Sequence, residues 1–457
     1  MPRSGSRRAR GRVALAASAA VAAVGGVFAR SRPETVASWL ERLAARVRRA
    51  ARARKPVRVY MDGCFDLAHF GHANALRQAK ACGDVLVVGI VSDAEIARCK
   101  GPPVLLEAER RAVVASNRFV DEIIDGVPYD VTEAFMQTLY DEHDIDYIVH
   151  GDDPCLLPDG TDAYDAPKRA GKFKTIERTE GVSTTDIVDR ILLAAASDRD
   201  APNPTPDRRP SRRRQHFCAT ARRVAGFIGG VPRAVPRDAA STVVYVRGAF
   251  DVFHAGHADL LRRARAMGDF VLVGVVNDDA VRARRGANRP VLNAQERALS
   301  VMACRHADEV IIAAPEAVTE DLIATFRVAV VLDADGCEGE EGGGEGGEGG
   351  GGATRGAGSS GAGRADVAPS AAHEDGVTGA GSAPAEDSDP FAAAKALGIF
   401  RASARDAESD PSAGLTTRAI IERVAANRAA YEARNRTKTA KEATYYERKA
   451  KAGGELS

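Results

Sequence analysis

Apolar positions along the chain follow two alternating periodicities, and the whole alternation occurs twice. Apolar residues at every second position from Val57 predict a short strand, and apolar residues at every third position from Ala73 to Cys82 predict a helix packed on one face. An unbroken apolar run over 85–91 then predicts a strand buried on both faces, as in parallel sheets. The same order returns from residue 243. Strands that alternate with helices in this way predict an α/β fold with two tandem Rossmann-like domains built on parallel sheets.

The pattern and the local composition divide the chain into four parts. Residues 1–55 form a basic and apolar arm, 56–196 the first domain, 197–241 a linker rich in Pro and Arg, and 242–450 the second domain. Within the second domain, the stretch 338–388 consists mostly of Gly, Glu, Ala, Ser and Asp. This stretch lacks the large apolar side chains that would offset the entropy of ordering it, so we predict a disordered insertion.

The N-terminal arm has the character of a targeting or membrane segment. Arginines flank the uncharged, Ala-rich run 13–28, about 16 residues long, which is marginal for spanning a bilayer. A membrane anchor, an organelle transit peptide and a peripheral helix remain open, and we favour the anchor.

Charge and cysteine content exclude some classes of protein. The formal net charge is +1, and the basic linker lacks interleaved aromatic residues, so binding to nucleic acid is not expected. The seven cysteines form no Cys-x-x-Cys pair and no metal-ligand spacing, which indicates reduced thiols and no protein metal site.

Each domain contains the same motif directly after its first strand. The first copy ends in His69-Phe70-Gly71-His72, and the second ends in His254-Ala255-Gly256-His257. Two imidazoles three residues apart lie on one face of a helix, at the end whose free backbone N–H groups attract phosphate. Gly71 lets the backbone come close to a triphosphate. Because ligands of doubly wound folds lie at the carboxyl ends of strands, the motif predicts a nucleotide site.

Four further segments, in order along the chain, resemble the signatures of the cytidylyltransferase family within the nucleotidyltransferase superfamily. They are Arg98-Cys99-Lys100-Gly101, Asn117-Arg118-Phe119-Val120-Asp121, His150-Gly151-Asp152-Asp153-Pro154 and the segment from Arg178 to Thr185. The tandem arrangement, the linker fragment from Gln215 to Gly229 and the tail Tyr431-Glu432-Ala433-Arg434-Asn435 resemble the members that use phosphoethanolamine. The resemblance implies two tandem nucleotidyltransferase domains. It also implies an enzyme of phospholipid biosynthesis that converts CTP and phosphoethanolamine into CDP-ethanolamine and pyrophosphate, on the way to phosphatidylethanolamine.

The resemblance also implies a set of site residues in the first domain. The expected catalytic residues are His69, His72, Lys100 and Arg178. The expected CTP-binding residues are Gly63, Cys64, Phe65, His69, Gly71, His72, Arg118, His150, Gly151, Asp152, Gly181, Val182, Ser183 and Thr184. The expected substrate-binding residues are Asp62, Asp153 and Lys100. Mg²⁺ is expected to accompany CTP as its only metal.

The nature of the acceptor can be weighed from individual residues. A quaternary ammonium is usually held by an aromatic cage, but the only Trp is Trp39 in the arm, and Cys155 follows Pro154 where an aromatic ring would help to build a cage. A carboxylate such as that of Asp62 suits a primary ammonium. Phosphoethanolamine is therefore favoured. Phosphocholine or glycerol 3-phosphate as acceptor, and an inactive membrane-associated scaffold that only binds nucleotide, remain alternatives.

The second copy of the motif departs from the first around its histidines. Arg247 stands at the position of Asp62, and Val331–Asp335 replaces the His-Gly-Asp-Asp segment. The second signature survives only as Gly414–Thr417. We therefore expect a degenerate second domain with a structural or regulatory role.

The resemblance further implies a location and partners. The expected protein faces the cytosol and is anchored through its arm to the mitochondrial outer membrane or the endoplasmic reticulum. CTP and phosphoethanolamine are the expected small-molecule partners, and a homodimer remains open.

Overall fold

The computed structural model describes residues 55–179, 181–197, 236, 241–335, 389–402 and 414–454. Nearly all of the predicted arm and linker, and the whole of the predicted insertion, lie outside these residues. No helix in the ranges just given is long and apolar enough to cross a membrane. The predicted α/β class is confirmed, because the described chain contains two five-stranded parallel sheets flanked by helices.

The first sheet has the strand order β3-β2-β1-β4-β5. Its strands are β1 (Arg58–Gly63), β2 (Val85–Val91), β3 (Glu122–Val127), β4 (Tyr147–Gly151) and β5 (Phe173–Ile176). Its helices are α1 (Phe70–Ala81), α2 (Asp93–Lys100), α3 (Glu107–Ser116), α4 (Glu133–Asp141), α5 (Asp165–Arg169) and α6 (Thr184–Ser197). The chain order reverses at the central strand β1, so a crevice for a ligand opens at the carboxyl ends of β1 and β4.

The second sheet repeats this topology with the order β10-β9-β6-β7-β8. Its strands are β6 (Val243–Gly248), β7 (Phe270–Val276), β8 (Glu309–Ala314), β9 (Val328–Asp333) and β10 (Phe400–Arg401). Its helices are α7 (Ala255–Met267), α8 (Asp278–Arg285), α9 (Ala294–Met302), α10 (Glu320–Phe326), α11 (Ala392–Ala396), α12 (Thr417–Ala426) and α13 (Arg428–Gly454). The helix α12 corresponds to α6 of the first domain, and α13 comes directly after it in the chain.

Burial on both faces explains why the central strands are continuously apolar. Along β7, Val271, Val273 and Val275 lie in the core that is shared between the domains. Phe270 and Leu272 point the other way, into a core confined to the second domain. Side chains alternate between the faces of a strand, so a strand covered on both sides needs apolar residues at every position.

The two domains pack against each other with an approximate twofold relation. The Arg118 guanidinium donates to the backbone carbonyl of Cys304 at 2.9 Å. Its counterpart in the second domain, Arg305, donates to the backbone carbonyl of Asn117 at 2.6 Å. Such reciprocal contacts are the mark of an isologous interface. The duplicated domains therefore pair as two subunits of a symmetric dimer would, within one chain.

An ion pair is exchanged across the same interface in the same reciprocal manner. Arg190 in α6 pairs with Glu296 at 2.9 Å, and its counterpart Arg423 in α12 pairs with Glu109 at 2.7 Å. Both glutamates are buried. Because a buried carboxylate without a partner is costly, the two pairs fix α6 against α9 of the second domain and α12 against α3 of the first.

Candidate active site

The His-x-Gly-His motif forms the N-terminal end of α1. His69 is the N-cap residue, and its Nδ1 accepts from the Gly71 N–H at 3.1 Å. The Nδ1 atom of His72 accepts from the His69 N–H at 3.3 Å, and the two ring centroids lie 4.1 Å apart. Since both Nδ1 atoms accept, each neutral ring carries its proton on Nε2. The motif therefore presents two N–H donors on the side of the rings away from the helix backbone.

Both imidazoles are neutral at physiological pH. Burial lowers the pKa of His69 well below its ordinary value, and the neighbouring His72 lowers it further. Burial, followed by the positive charge of Lys438, lowers the pKa of His72 to about 4. The pair can therefore donate hydrogen bonds to phosphate oxygens, but it does not carry the charge that neutralises a phosphate.

Gly71 is required by close packing at this point. A Cβ atom on Gly71 would lie 2.8 Å from Cε1 of His69 and 2.9 Å from Cγ1 of Val182. Carbon atoms do not approach this closely in proteins without displacement. The glycine therefore lets the motif and the second signature meet, and the close approach to a triphosphate stays a prediction.

The loop between β1 and α1 has a strained backbone. Phe65 and Leu67 have φ angles of 49° and 46°, and their counterparts in the second domain adopt the same conformation. The left-handed region is unfavourable for such residues and persists only when the surroundings impose it. Here Asp66 holds the loop, because its carboxylate accepts from the N–H groups of Val104 at 3.0 Å and Leu105 at 2.9 Å.

A buried arginine outside every motif also holds this loop. Arg110 in α3 donates to the carbonyls of Cys64 at 2.7 Å and Val91 at 2.8 Å, and to the carboxylate of Asp93 at 2.6 Å. It thereby ties together the carboxyl ends of β1 and β2. Arg297 makes the corresponding contacts in the second domain. Sequence reasoning missed Arg110, although an alignment of the two repeats would have revealed the pair.

Lys100, the last residue of α2, supplies a permanent positive charge. Its Nζ atom lies 5.1 Å from the centroid of the Tyr129 ring. The Cys64 thiol and the Tyr129 phenol raise the pKa of Lys100 well above its ordinary value, against the opposing effect of burial. The ammonium is therefore charged at all physiological pH values, and its charge also lowers the pKa of His72.

Arg178 reaches the same site from the segment after β5. Its backbone N–H donates to Asp152 at 3.0 Å, and its guanidinium lies 3.7 Å from the Asp153 carboxylate. Its charge lowers the pKa values of both His69 and His72. The structure thus brings together all four residues expected to be catalytic.

The hydroxyl groups of the second signature are used inside the protein. The Ser183 hydroxyl accepts from the Asp186 N–H at 3.1 Å, which caps α6, and the Thr184 hydroxyl donates to the Asp66 carbonyl at 3.2 Å. The Thr184 bond docks the start of α6 onto the β1–α1 loop. The phosphate contacts expected for both side chains stay a prediction. Gly181, with a φ of 84°, lets the chain turn into that helix.

Asp62 forms the floor of a second part of the site. Its carboxylate is 2% exposed and accepts from the Tyr164 hydroxyl at 2.8 Å. Burial raises the pKa of Asp62 to about 6, while the Tyr164 hydrogen bond and the charge of Lys100 oppose that rise. The Tyr164 ring in turn packs at a tilt against the His150 ring, with centroids 4.4 Å apart. Tyr164 lies in no recognised motif, and sequence reasoning missed it.

The remaining wall of this pocket combines a thiol with a phenol. The Cys155 thiol donates to the Tyr129 hydroxyl at 3.3 Å, and both groups act electrostatically on Lys100. Burial raises the pKa of Cys155 to about 11, and the charge of Asp62 adds to this rise, against the opposing charge of Lys100. A buried carboxylate and a charged amine therefore interact here, and the two tyrosines and the thiol also interact with them.

The other predicted residues divide into those that join the site and one that does not. Phe65 packs against His72 with ring centroids 5.7 Å apart. Gly63, Cys64 and Gly151 lie at the carboxyl ends of β1 and β4. Arg118, in contrast, lies at the interface between the domains, where its guanidinium donates to backbone carbonyls of the second domain.

The corresponding region of the second domain is filled by its own charges. Asp335 accepts from the Ala249 N–H at 3.0 Å and pairs with Arg284 at 3.1 Å and Arg285 at 3.0 Å. It also lies 3.9 Å from the fully buried Arg247. An internal carboxylate thus balances the arginines that have replaced the first-domain residues.

The histidines of the second copy are closed off as well. His254 and His257 are stacked with centroids 3.9 Å apart, and both are almost completely buried. The Nε2 atom of His254 lies 3.4 Å from the hydroxyl of Thr417, the counterpart of Thr184. The nitrogen that is available to phosphate in the first domain therefore meets a protein group in the second.

The duplicated parallel sheet, with His-x-Gly-His at the start of a helix and basic residues at the carboxyl ends of the strands, defines a nucleotidyltransferase. The family model described as "Cytidylyltransferase-like" matches residues 60–190 and 245–338. An ethanolamine-phosphate cytidylyltransferase of Arabidopsis thaliana is 43% identical over 429 residues, which cover 89% of each chain. The enzyme of the same name from Dictyostelium discoideum is 39% identical, and the match covers 86% of this chain and 98% of the relative. The one from Mus musculus is 35% identical, and the match covers 88% of this chain and 94% of the relative. The chain belongs to the ethanolamine-phosphate cytidylyltransferase family.

Proposed function

We propose that the first domain transfers a cytidylyl group from CTP to phosphoethanolamine and releases pyrophosphate and CDP-ethanolamine. One observation carries the proposal: the phosphate-directed groups lie close enough to interact electrostatically with one another, and Lys100 among them also acts on a buried carboxylate. The phosphate-directed groups are His69, His72, Lys100 and Arg178, and the carboxylate is that of Asp62. Family membership, over most of the length of the chain and of its relatives, supports the same reaction.

The chemistry needs no covalent bond to the protein. A phosphate oxygen of phosphoethanolamine attacks the α-phosphorus of CTP, and the bond from that phosphorus to the bridging oxygen breaks as pyrophosphate leaves. The Nε2–H groups of His69 and His72 donate to phosphate oxygens that gain charge in the transition state. Lys100 draws the two negatively charged reactants together and neutralises them. Catalysis then depends mainly on positioning and electrostatic stabilisation.

The acceptor is selected at Asp62. A primary ammonium can donate hydrogen bonds to the buried carboxylate, whose orientation is fixed by Tyr164. A trimethylammonium group cannot donate hydrogen bonds and requires aromatic faces instead. The thiol of Cys155 occupies part of the wall where such a cage would need another ring. These features favour phosphoethanolamine over phosphocholine.

We propose that Mg²⁺ enters with CTP, bound by the triphosphate oxygens. The site carboxylates are already engaged: Asp62 by Tyr164, Asp66 by two backbone N–H groups and Asp152 by the backbone of Arg178. Within the described ranges, no group of three or more His, Cys, Asp or Glu side chains is arranged to hold a metal ion. The ion would supply charge neutralisation on the triphosphate, alongside Lys100.

The reaction is tested by offering the full chain CTP with phosphoethanolamine, phosphocholine or glycerol 3-phosphate and measuring the CDP product. The proposal predicts a clear preference for phosphoethanolamine. Preference for another acceptor would overturn the role given to Asp62 but keep the reaction type. Absence of any CDP product, while CTP still binds, would favour the scaffold function instead.

We also propose that the arm attaches the enzyme to the mitochondrial outer membrane or the endoplasmic reticulum, with the domains in the cytosol. The uncharged run 13–28 between arginines supports attachment. Fractionation of cells that express the full chain or residues 55–457 tests this, since only the full chain should sediment with membranes. A full chain found entirely in the supernatant would contradict it. A homodimer stays a prediction.

A further inference from the structure

The helix α13 lies at the C-terminal end of the second domain in sequence but packs against the active site of the first. The Tyr431 hydroxyl donates to the Pro103 carbonyl at 3.1 Å. Arg434 donates to the Pro102 carbonyl at 2.9 Å and lies 3.3 Å from the Asp66 carboxylate. Both carbonyls belong to the segment that directly follows α2, the helix that ends in the catalytic lysine. One edge of α13 is therefore fixed to the Lys100 side of the site.

The same helix is fixed to the opposite side of the site one residue later. The Asn435 side-chain amide donates to the Thr185 carbonyl at 3.3 Å and to the Asp189 carboxylate at 2.9 Å. Both acceptors lie in the first turns of α6, the helix that the second signature opens. Asn435 and Tyr431 are buried by these contacts. The helix α13 thus bridges the two phosphate-handling elements of the first domain.

Lys438 lies on the same face of α13. It follows Asn435 by three residues and Arg434 by four, and residues at these spacings are neighbours on one side of a helix. Its side chain is half-buried. The long side chains of a helix lean toward its N-terminus, which for Lys438 is the direction of Arg434 and Asn435. The ammonium also lies near enough to His69 and His72 for its charge to lower the pKa of both.

We propose that Lys438 is an anion-binding residue of the first-domain site, which neutralises the triphosphate of CTP and the pyrophosphate that leaves. The proposal rests on the cytidylyl transfer proposed above. The two histidines are neutral before CTP binds, so the permanent positive charge available to an incoming phosphate comes from Lys100, Arg178 and Lys438. A lysine acts on a phosphate as a mobile point charge, which suits a group that must bind both a substrate and a departing product.

This assignment gives the second domain a role in the reaction of the first, because it holds Lys438 in place. The second domain positions α12 against α6, and α13 follows α12 directly. Removal of the second domain would therefore remove Lys438 from the first-domain site.

The test compares three variants of the full chain. Lys438→Gln removes the charge, Lys438→Arg keeps it, and Arg436→Gln removes a charge from an exposed position on the same helix. We expect Lys438→Gln to lower kcat/KM for CTP by about tenfold to a hundredfold, the loss typical of one charged hydrogen bond. Lys438→Arg should restore most of it, and Arg436→Gln should leave it unchanged. The KM for phosphoethanolamine should change little.

Two further readouts separate charge neutralisation from a structural role. Inhibition by inorganic pyrophosphate should weaken in Lys438→Gln in proportion to the loss for CTP. Removal of the Lys438 charge should also raise the pKa values of His69 and His72, so the acid limb of the pH profile of kcat/KM for CTP should move to higher pH. Equal kinetics in Lys438→Gln and Arg436→Gln, or a Lys438→Arg variant as impaired as Lys438→Gln, would overturn the proposal.

Failure of the proposed reaction would be seen separately. If the unaltered chain makes no CDP-ethanolamine, calorimetric titration with inorganic pyrophosphate still compares Lys438→Gln with Arg436→Gln. Weaker binding in Lys438→Gln alone would support the anion-binding role, and equal binding in the two variants would overturn it.

Discussion

The recognition of the acceptor by Asp62 leads to a sharp prediction for Asp62→Asn. The substitution keeps the shape of the side chain and an oxygen that can accept from Tyr164, but it removes the charge. Asp62 is 2% exposed, so water cannot replace the lost interaction with an ammonium. A hydrogen bond to a charged group contributes about 1.5–3 kcal/mol. We therefore expect kcat/KM for phosphoethanolamine to fall by roughly 10- to 150-fold, with KM for CTP almost unchanged.

The pH dependence provides an independent check of the same prediction. Burial raises the pKa of Asp62 to about 6. The carboxylate is ionised above this pH and protonates as the pH falls through it, so kcat/KM should fall about tenfold per unit well below pH 6. The phosphate of the substrate also titrates near pH 6. The pH profile of Asp62→Asn contains the titration of the substrate phosphate but not that of Asp62. The difference between this profile and that of the unaltered enzyme therefore gives the contribution of Asp62.

Initial rates at saturating CTP, with phosphoethanolamine varied between pH 5 and 8, measure both effects. Tyr164→Phe is the matched variant, because it removes the hydrogen bond that lowers the pKa of Asp62 and keeps the ring. Its acid limb should move to higher pH than that of the unaltered enzyme. Unchanged kcat/KM in Asp62→Asn, or identical pH profiles with and without the carboxylate, would refute the reasoning.

Three other predictions concern packing and charge. Gly71→Ala should lower kcat by at least about tenfold, because the added methyl group displaces the His69 ring. The circular dichroism spectrum should stay unchanged. A normal kcat would show that the position of the imidazole is not critical. Arg190→Ala leaves Glu296 buried without its partner and should lower the free energy of unfolding in urea by about 1–3 kcal/mol. Arg428→Ala, from an exposed pair, should lower it by less than about 0.5 kcal/mol. Asp335→Asn removes the negative charge that pairs with Arg284 and Arg285, so it should lower Tm while kcat stays unchanged. A large loss of kcat would give that region a catalytic role.

The sequence predicts the architecture well because the fold depends on short periodic patterns. The apolar run over 85–91 corresponds to β2, and the expected helix from Ala73 falls within α1. Both are local features that recur in the second domain. The site residues that belong to a motif are also brought together, since each motif lies at the carboxyl end of a strand.

The residues that sequence reasoning missed reach the site from distant parts of the chain. Tyr164 directly precedes the helix α5, and Lys438 lies in the last helix of the second domain. No local pattern connects them to Asp62 or His72. Only the folded chain shows that they are neighbours.

Arg118 illustrates a different difficulty. Its motif resembles a family signature, which led to the expectation that it binds CTP, whereas its side chain lies between the domains. A signal was present in the repeat itself. Arg305 occupies the same position in the second domain, and a residue retained in both copies fits a reciprocal interface.

We expect only the first of the two similar sites to carry out the reaction. The decisive measurement compares the rate of CDP-ethanolamine formation by His72→Ala and His257→Ala, both in the full chain and both verified as folded by circular dichroism. His72→Ala should lose nearly all turnover, and His257→Ala should retain most of it. Near-normal turnover in His72→Ala, or an equal loss in folded His257→Ala, would contradict this expectation.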